Sequence, residues 1–258
     1  MNRTRIHHNQ PPRLRGAAML GLIASLLCAA PAFADVVTFD SLPASANESG
    51  TSLGESGYNM LFVEGPVAAE LGLVSGIGSV IDSSDPFSCD IIACPAGASG
   101  KYLAILNDGA VQLSHPGALS GFTVTGFDFA FMPPTPVGPG NYGQLQLSGV
   151  NWQGATVMTR LDFPGQNADG SFLFGSAALD AAFRANVFSS LTISACIYDA
   201  DAVCSNSFAS PAFNQAQFAL DNLSLNAVPE PASFLLAALG LGALGLSRRR
   251  KATPSISL

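Results

Sequence analysis

The sequence predicts an all-β fold, a two-sheet antiparallel β-sandwich over residues 35–227, flanked by an N-terminal signal peptide and a C-terminal single transmembrane helix. Three observations carry the prediction. Gly, Ser, Pro, Asn and Asp recur about every ten residues, and the runs between them are rich in Phe, Val, Leu and Thr. Several of those runs alternate apolar and polar: Leu191, Ile193, Ala195 and Ile197 share one face, Thr192 and Ser194 the other. One-sided strands suit two packed antiparallel sheets rather than a parallel sheet buried on both faces. Finally, 176–185 is the sole candidate helix, and it is short.

In chain order the expected strands are 36–39, 59–63, 101–106, 110–114, 121–132, 142–150, 155–163, 189–199 and 216–225. The stretch 41–57, "SLPASANESGTSLGESG", reads as a long polar loop. Two strands change phase. Phe122 and Val124 have one parity and Phe127, Phe129 and Phe131 the other, with the slip at Thr125-Gly126. Likewise Phe218 and Leu220 differ from Leu223 and Leu225, and Asp221-Asn222 stands at the change. A one-residue slip turns every later side chain over, so a bulge or bend is expected at each place. The phenylalanine stripe is read as core.

The ends place the protein. Residues 1–15 hold Arg3, Arg5, Arg13 and Arg15 and no acid; an apolar run follows and closes on Ala32-Phe33-Ala34. That is the layout of a secretory signal peptide, residues 1–34, cut by signal peptidase after Ala34. Cys28 follows Leu26-Leu27 where a lipoprotein cysteine would follow a small residue. Residues 35–228 carry 17 of the 18 acids against three bases, Lys101, Arg160 and Arg184, a net charge of −14. So acidic a domain repels nucleic acid. Divalent-cation binding is the sharper reading of the acids, plain solubility the simpler one. Four cysteines remain, Cys89, Cys94, Cys196 and Cys204, an even number that suggests disulfides in an exported chain. One short bridge per neighbouring pair is favoured, although four cysteines allow three connectivities; a zinc site of four thiolates is the rival, with spacings unlike CxxC pairs.

Catalytic chemistry is sparse. His115 is the one histidine after residue 34, before a Pro-Gly turn, and no G-x-S-x-G elbow or HExxH helix accompanies it. "PAGASGKY" (95–102) lacks the first Gly of a phosphate loop and has Tyr102 in place of Ser or Thr. A glycosidase needs two acids at about 5–10 Å, and nothing singles out a pair. Sugar-binding faces present amphipathic rings; the candidates here are Trp152 and Tyr142. Asp82, Asp85 and Asp90 beside Cys89 read as a solvated loop.

The segments "VVTFDSL" (36–42) and "FALDNLSL" (218–225) resemble the opening and closing strands of jelly-roll carbohydrate-binding-like modules. That resemblance implies a jelly-roll-like sandwich with a structural calcium between the chain's two ends. Asp40 and Asp221 would then be its ligands, together with backbone carbonyls. Calcium is the one cofactor expected.

The tail, "VPEPASFLLAALGLGALGLSRRRK" (228–251), combines Pro229-Glu230-Pro231, an apolar span at 232–247 and a basic cluster at 248–251 containing Arg248, Arg249 and Arg250. It resembles the PEP-CTERM sorting signal. The apolar run from Ala232 to Leu246, 15 residues, makes roughly 22 Å of helix, short of the ~20 residues of a comfortable span. Gly240, Gly242 and Gly245 weaken it further. These features favour a removable address over an ordinary anchor. The resemblance implies a Gram-negative bacterium that makes exopolysaccharide, and an exosortase that cuts near the Pro-Glu-Pro. The basic cluster and residues 252–258, a cytoplasmic tail, stay inside; the domain is exported through the inner membrane, anchored transiently, then released to the surface or matrix. The expected role is non-enzymatic, structural or adhesive and linked to exopolysaccharide. The alternatives are a carbohydrate-binding module and a glycoside hydrolase with paired carboxylates.

Overall fold

In the computed structural model the described residues are 34–65, 69, 76–89, 94–116, 121–132, 140, 142–199, 201–205, 216–228, 240 and 242. The strands are β1 (Ala34–Val37), β2 (Ser45–Asn47), β3 (Ser52–Glu55), β4 (Tyr58–Val63), β5 (Gly78–Asp82), β6 (Lys101–Ile105), β7 (Ala110–Ser114), β8 (Gly121–Phe131), β9 (Gly143–Asn151), β10 (Thr156–Asp162), β11 (Gly175–Ser176), β12 (Phe188–Tyr198), β13 (Cys204–Ser205) and β14 (Phe218–Val228). All fourteen pair antiparallel in one hydrogen-bonded network that curls into a nearly closed barrel. β12 joins both halves of the network: Phe188 pairs with Asn151 of β9 and also with Phe122 of β8.

Inside lies a core of aromatic and branched side chains, among them Phe39, Phe62, Phe122, Phe127, Phe129, Phe131, Phe188 and Phe218. Alternation delivers them: Tyr58, Met60 and Phe62 of β4 are buried, while Asn59 and Leu61 between them are half-buried. A second, smaller core of Ile81, Tyr102, Ala104, Ala130, Met132 and Ala219 lies on the other side of β5–β6–β14–β8, beneath Cys94, Ala98 and Phe174. Cys89 and Cys94 form one disulfide, Cα atoms 5.5 Å apart, and Cys196 and Cys204 the other, at 5.4 Å. Both are the short local bridges, and neither pair offers a thiolate to zinc.

Both phase slips fall in the β8–β14 ladder. Asp221 pairs with Asp128 and Ser224 with Gly126, so β14 spends two residues where β8 spends one. Leu225 then pairs with Val124, and β8 returns the extra residue at Thr125. The two bulges cancel, and the register beyond them holds. Thr125 Oγ1 donates to the Ser224 carbonyl at 3.0 Å, and Asn222 takes the left-handed conformation at φ 51°.

Four points differ from expectation. The stretch 41–57 is not one loop: β2 and β3 lie in it, pairing with β5 and β4. β5 had no counterpart among the expected strands. The first strand ends at Val37, and Phe39 is buried in the left-handed region at φ 63°. The expected helix shrinks to α1 (Ala181–Arg184), because Gly175–Ser176 pairs with β8 and Asp180 caps the helix by accepting from the Phe183 N–H at 2.6 Å.

Candidate metal centre

Asp221 stands at a gap along one edge of β14. β6 pairs with Phe218–Leu220 and β1 with Leu223–Asn226, so the end of β1 and the start of β6 meet end to end beside Asp221-Asn222. The turn after β1 closes the gap. The Lys101 N–H donates to Asp40 Oδ1 at 2.8 Å, and the Lys101 ammonium donates to the Leu42 carbonyl at 2.6 Å and the Asp40 carbonyl at 3.3 Å. Gly100 precedes this contact at φ 83°, where a Cβ would run into Asp40 Oδ1. Glu55, at the end of β3, accepts from the Phe39 N–H and from Ser41 Oγ, each at 2.8 Å. These two bonds hold Phe39 in a conformation that costs an aromatic residue roughly 1–2 kcal/mol.

Asp221 itself is 5% exposed. Its Oδ1 accepts from the Asn222 N–H at 2.7 Å. Burial pushes its carboxyl up to about 6; the Asn222 amide opposes the shift, and the charges of Asp40, Asp128 and Glu55 add to it. Asp128, opposite Asp221 in the ladder, accepts from Ser176 Oγ at 2.6 Å and from Asn222 Nδ2 at 2.9 Å. The sequence-predicted pair, Asp40 and Asp221, is therefore brought within one electrostatic neighbourhood. Glu55 and Asp128 join it, and sequence reasoning missed both. The signal for Asp128 was an acid inside an apolar run, "FDF"; for Glu55 there was none, since it lay in a presumed loop.

The donors on offer are carboxylate and carbonyl oxygens, the chemistry a hard cation takes, and the acids here outnumber the one lysine. The Lys101 ammonium already sits on the Asp40 and Leu42 carbonyls, which leaves the carboxylates of Asp40 and Asp221 as the oxygens a cation would take first. Among the described residues no group of three or more His, Cys, Asp or Glu could hold a metal by side chains alone.

The remaining expected site residues disperse. His115 packs edge-on against Tyr58, ring centroids 5.3 Å apart. Tyr142 stacks on Phe131 at 5.8 Å and Trp152 packs at Gly121, so neither ring stands alone over a groove. Asp82 and Asp85 accept from Ser84 and Ser88 in an exposed turn, where the Ser84 hydroxyl and amide hold the Asp82 carboxyl below its ordinary range; Asp90 lies outside the described residues. So do Pro229, Glu230, Pro231, Arg248, Arg249 and Arg250, residues 1–33 and 252–258, and the 232–247 span apart from Gly240 and Gly242. Among the described residues no helix is long and apolar enough to cross a membrane.

Residues 227–251 match the PEP-CTERM protein-sorting motif. That motif marks an exported protein targeted to an exosortase. No curated protein matches the chain. Among solved structures, a cyclase from Fischerella sp. TAU aligns at 10% identity and TM-score 0.36, over 77% of this chain and 100% of its own. The C-terminal family 22 carbohydrate-binding module of Clostridium thermocellum Xyn10B aligns at 9% and 0.31, over 71% and 93%. A mutant of the family 29 carbohydrate-binding module CBM29-2 aligns at 10% and 0.27, over 78% and 89%. These TM-scores lie well below 0.5, too distant to carry over a ligand or a residue's role.

Proposed function

We propose that this is an exported, exosortase-processed protein of the cell surface or extracellular matrix, with a non-enzymatic structural or adhesive role linked to exopolysaccharide. The sorting motif at 227–251 carries the reading. It supplies a removable anchor, and removal delivers the acidic β domain outside the cell. A two-sheet jelly-roll-like plan for that domain belongs to the same proposal. The dispersal of His115 and the commitment of Asp40, Asp128 and Glu55 to hydrogen bonds with their own chain support a non-enzymatic role. The test is mass spectrometry of the mature protein from its native host. A C-terminus within Pro229–Pro231 is expected; a mature chain that retains Arg248–Arg250 contradicts the reading.

A structural calcium at Asp40 and Asp221 is part of the proposal. It would bind the turn after β1 to the bulge of β14 and so lock the first strand to the last. The observation favouring it is the buried Asp221 carboxyl beside three further acids.

A further inference from the structure

The two halves of the barrel treat their outer faces differently. On β5–β6–β14–β8 the outer face is apolar and covered. On β4–β7–β12–β9 it is uncharged and mostly polar, with Leu61, Val63 and Val150 set among the polar side chains. Cross-strand register sets its side chains in rows. Asn59 stands opposite Ser114, and Ser114 opposite Ser190. In the next row Gln112 stands opposite Thr192, and Thr192 opposite Ser148. All six are half-buried, as short side chains on a flat sheet are. Among the described residues no side-chain hydrogen bond engages any of them. Neighbouring strands lie about 4.8 Å apart, so each row offers a hydroxyl or amide at that repeat over roughly 10 Å.

The chemistry selects the occupant. A protein interface draws its affinity from aromatic and Arg anchors set in desolvated pockets, and the two rows hold no such side chain; their apolar members stand at the ends, Val150 beyond Ser190, Leu61 beyond Gln112 and the exposed Met158 beyond Ser148. A polyanion meets a domain of net charge −14. The rows hold no ring for a sugar to stack on, so a neutral polysaccharide would be held through its hydroxyls alone, each a donor and an acceptor, and the rows answer with the same groups. At the end of the first row, Gly54 faces Asn59 across β3–β4 and contributes no side chain. There the face runs into a groove of about 540 Å³ lined by Glu55, Ser56, Gly57 and Pro116 together with Asn59 and Ser114 of the row; the Glu55 carboxylate is engaged by the Phe39 N–H and Ser41 Oγ. It lies within the size range of small-ligand sites.

We infer that the outer face of β4–β7–β12–β9 is a binding site for a neutral polysaccharide, with the groove at the β3–β4 turn receiving one saccharide unit of the chain. This rests on the reading that the protein works in association with polysaccharide. The experiment is affinity electrophoresis of the full chain in gels containing hydroxyethyl cellulose, galactomannan, dextran or the polyanion alginate. At least one neutral polymer should retard the protein and alginate should not. The variant Gln112→Ala/Ser190→Ala/Thr192→Ala should bind at least tenfold more weakly with an unchanged melting temperature. If the variant binds as tightly as the unaltered chain, the face is not the site, while a polysaccharide-linked role stands. If no neutral polymer retards the unaltered chain, or only alginate does, both the face and the polysaccharide link fail. Export and sorting are read independently from the mature C-terminus.

Discussion

The seam around Asp221 and the open face of β4–β7–β12–β9 are both rich in polar side chains, yet they use them in opposite ways. At the seam nearly every polar group is spent on the chain itself. Asp40 holds the Lys101 amide, Glu55 holds Phe39 and Ser41, and Asp128 holds Ser176 and Asn222. On the open face the side chains of Gln112, Ser114, Ser190 and Thr192 hydrogen-bond to no partner among the described residues. Of the seam's acids only Asp221 is buried, and a buried polar group left unsatisfied costs about 1–3 kcal/mol, so its bond from the Asn222 amide belongs to folding, whereas Asp40, Glu55 and Asp128 bond their own chain while exposed or half-buried. The half-exposed groups of the face are under no such constraint and remain available to a partner. For a neutral ligand, proximity of polar residues alone therefore does not mark a binding site; the unspent valence does.

The largest way to break this contrast is at Gly100. Gly100→Val places a side chain at φ 83° against Asp40 Oδ1 and should cost on the order of 3 kcal/mol, read as a lower urea midpoint. A change within ~0.5 kcal/mol would show that the seam does not hold the first strand. Next comes pH. The Asp221 carboxyl is raised from 3.8 to about 6, so between those values the folded chain binds more protons than the unfolded one. Stability from this group is therefore full below about pH 4 and falls as pH rises through about 6, by at most about 3 kcal/mol. In chelator-treated protein, Asp221→Asn should remove this slope; a slope that persists assigns it to other groups. Calcium acts in the other direction on the same residue. At a concentration a hundred times its dissociation constant it should stabilise by about 2.7 kcal/mol, and EDTA should lower the melting temperature accordingly. An unchanged melting temperature removes Asp40 and Asp221 as ligands. The smallest effect is expected on the open face, where Gln112→Ala should shift stability by less than about 0.5 kcal/mol.

Much of the fold was legible because alternation survives in the long strands. The strand 110–114 has the expected bounds, and the slips at Gly126 and Asp221-Asn222 appear as a compensating pair of bulges. What was missed lacks periodicity. β2 is Ser-Ala-Asn and β3 Ser-Leu-Gly-Glu, edge segments too short and polar to alternate visibly. β5 opens on Gly-Ser, which reads as a turn until Gly78 is seen against the Phe62 ring. At the site, the Asp40–Asp221 juxtaposition was reachable only through resemblance of the first and last strands. Glu55 and Asp128 needed three-dimensional pairing. The open face was half legible: the sequence says that Thr192 and Ser194 point outward, but which residues flank them depends on register, and register is not written in any one strand.

The contrast between spent and unspent polar groups is tested most directly by following the Asn and Gln side-chain amide signals by nuclear magnetic resonance as a neutral polysaccharide that retards the protein is titrated in. The prediction is that the Asn59 and Gln112 signals shift with added polymer while the Asn222 signal, bonded to Asp128, stays in place. A shift at Asn222 with Asn59 and Gln112 unmoved would contradict it and move the binding site to the seam.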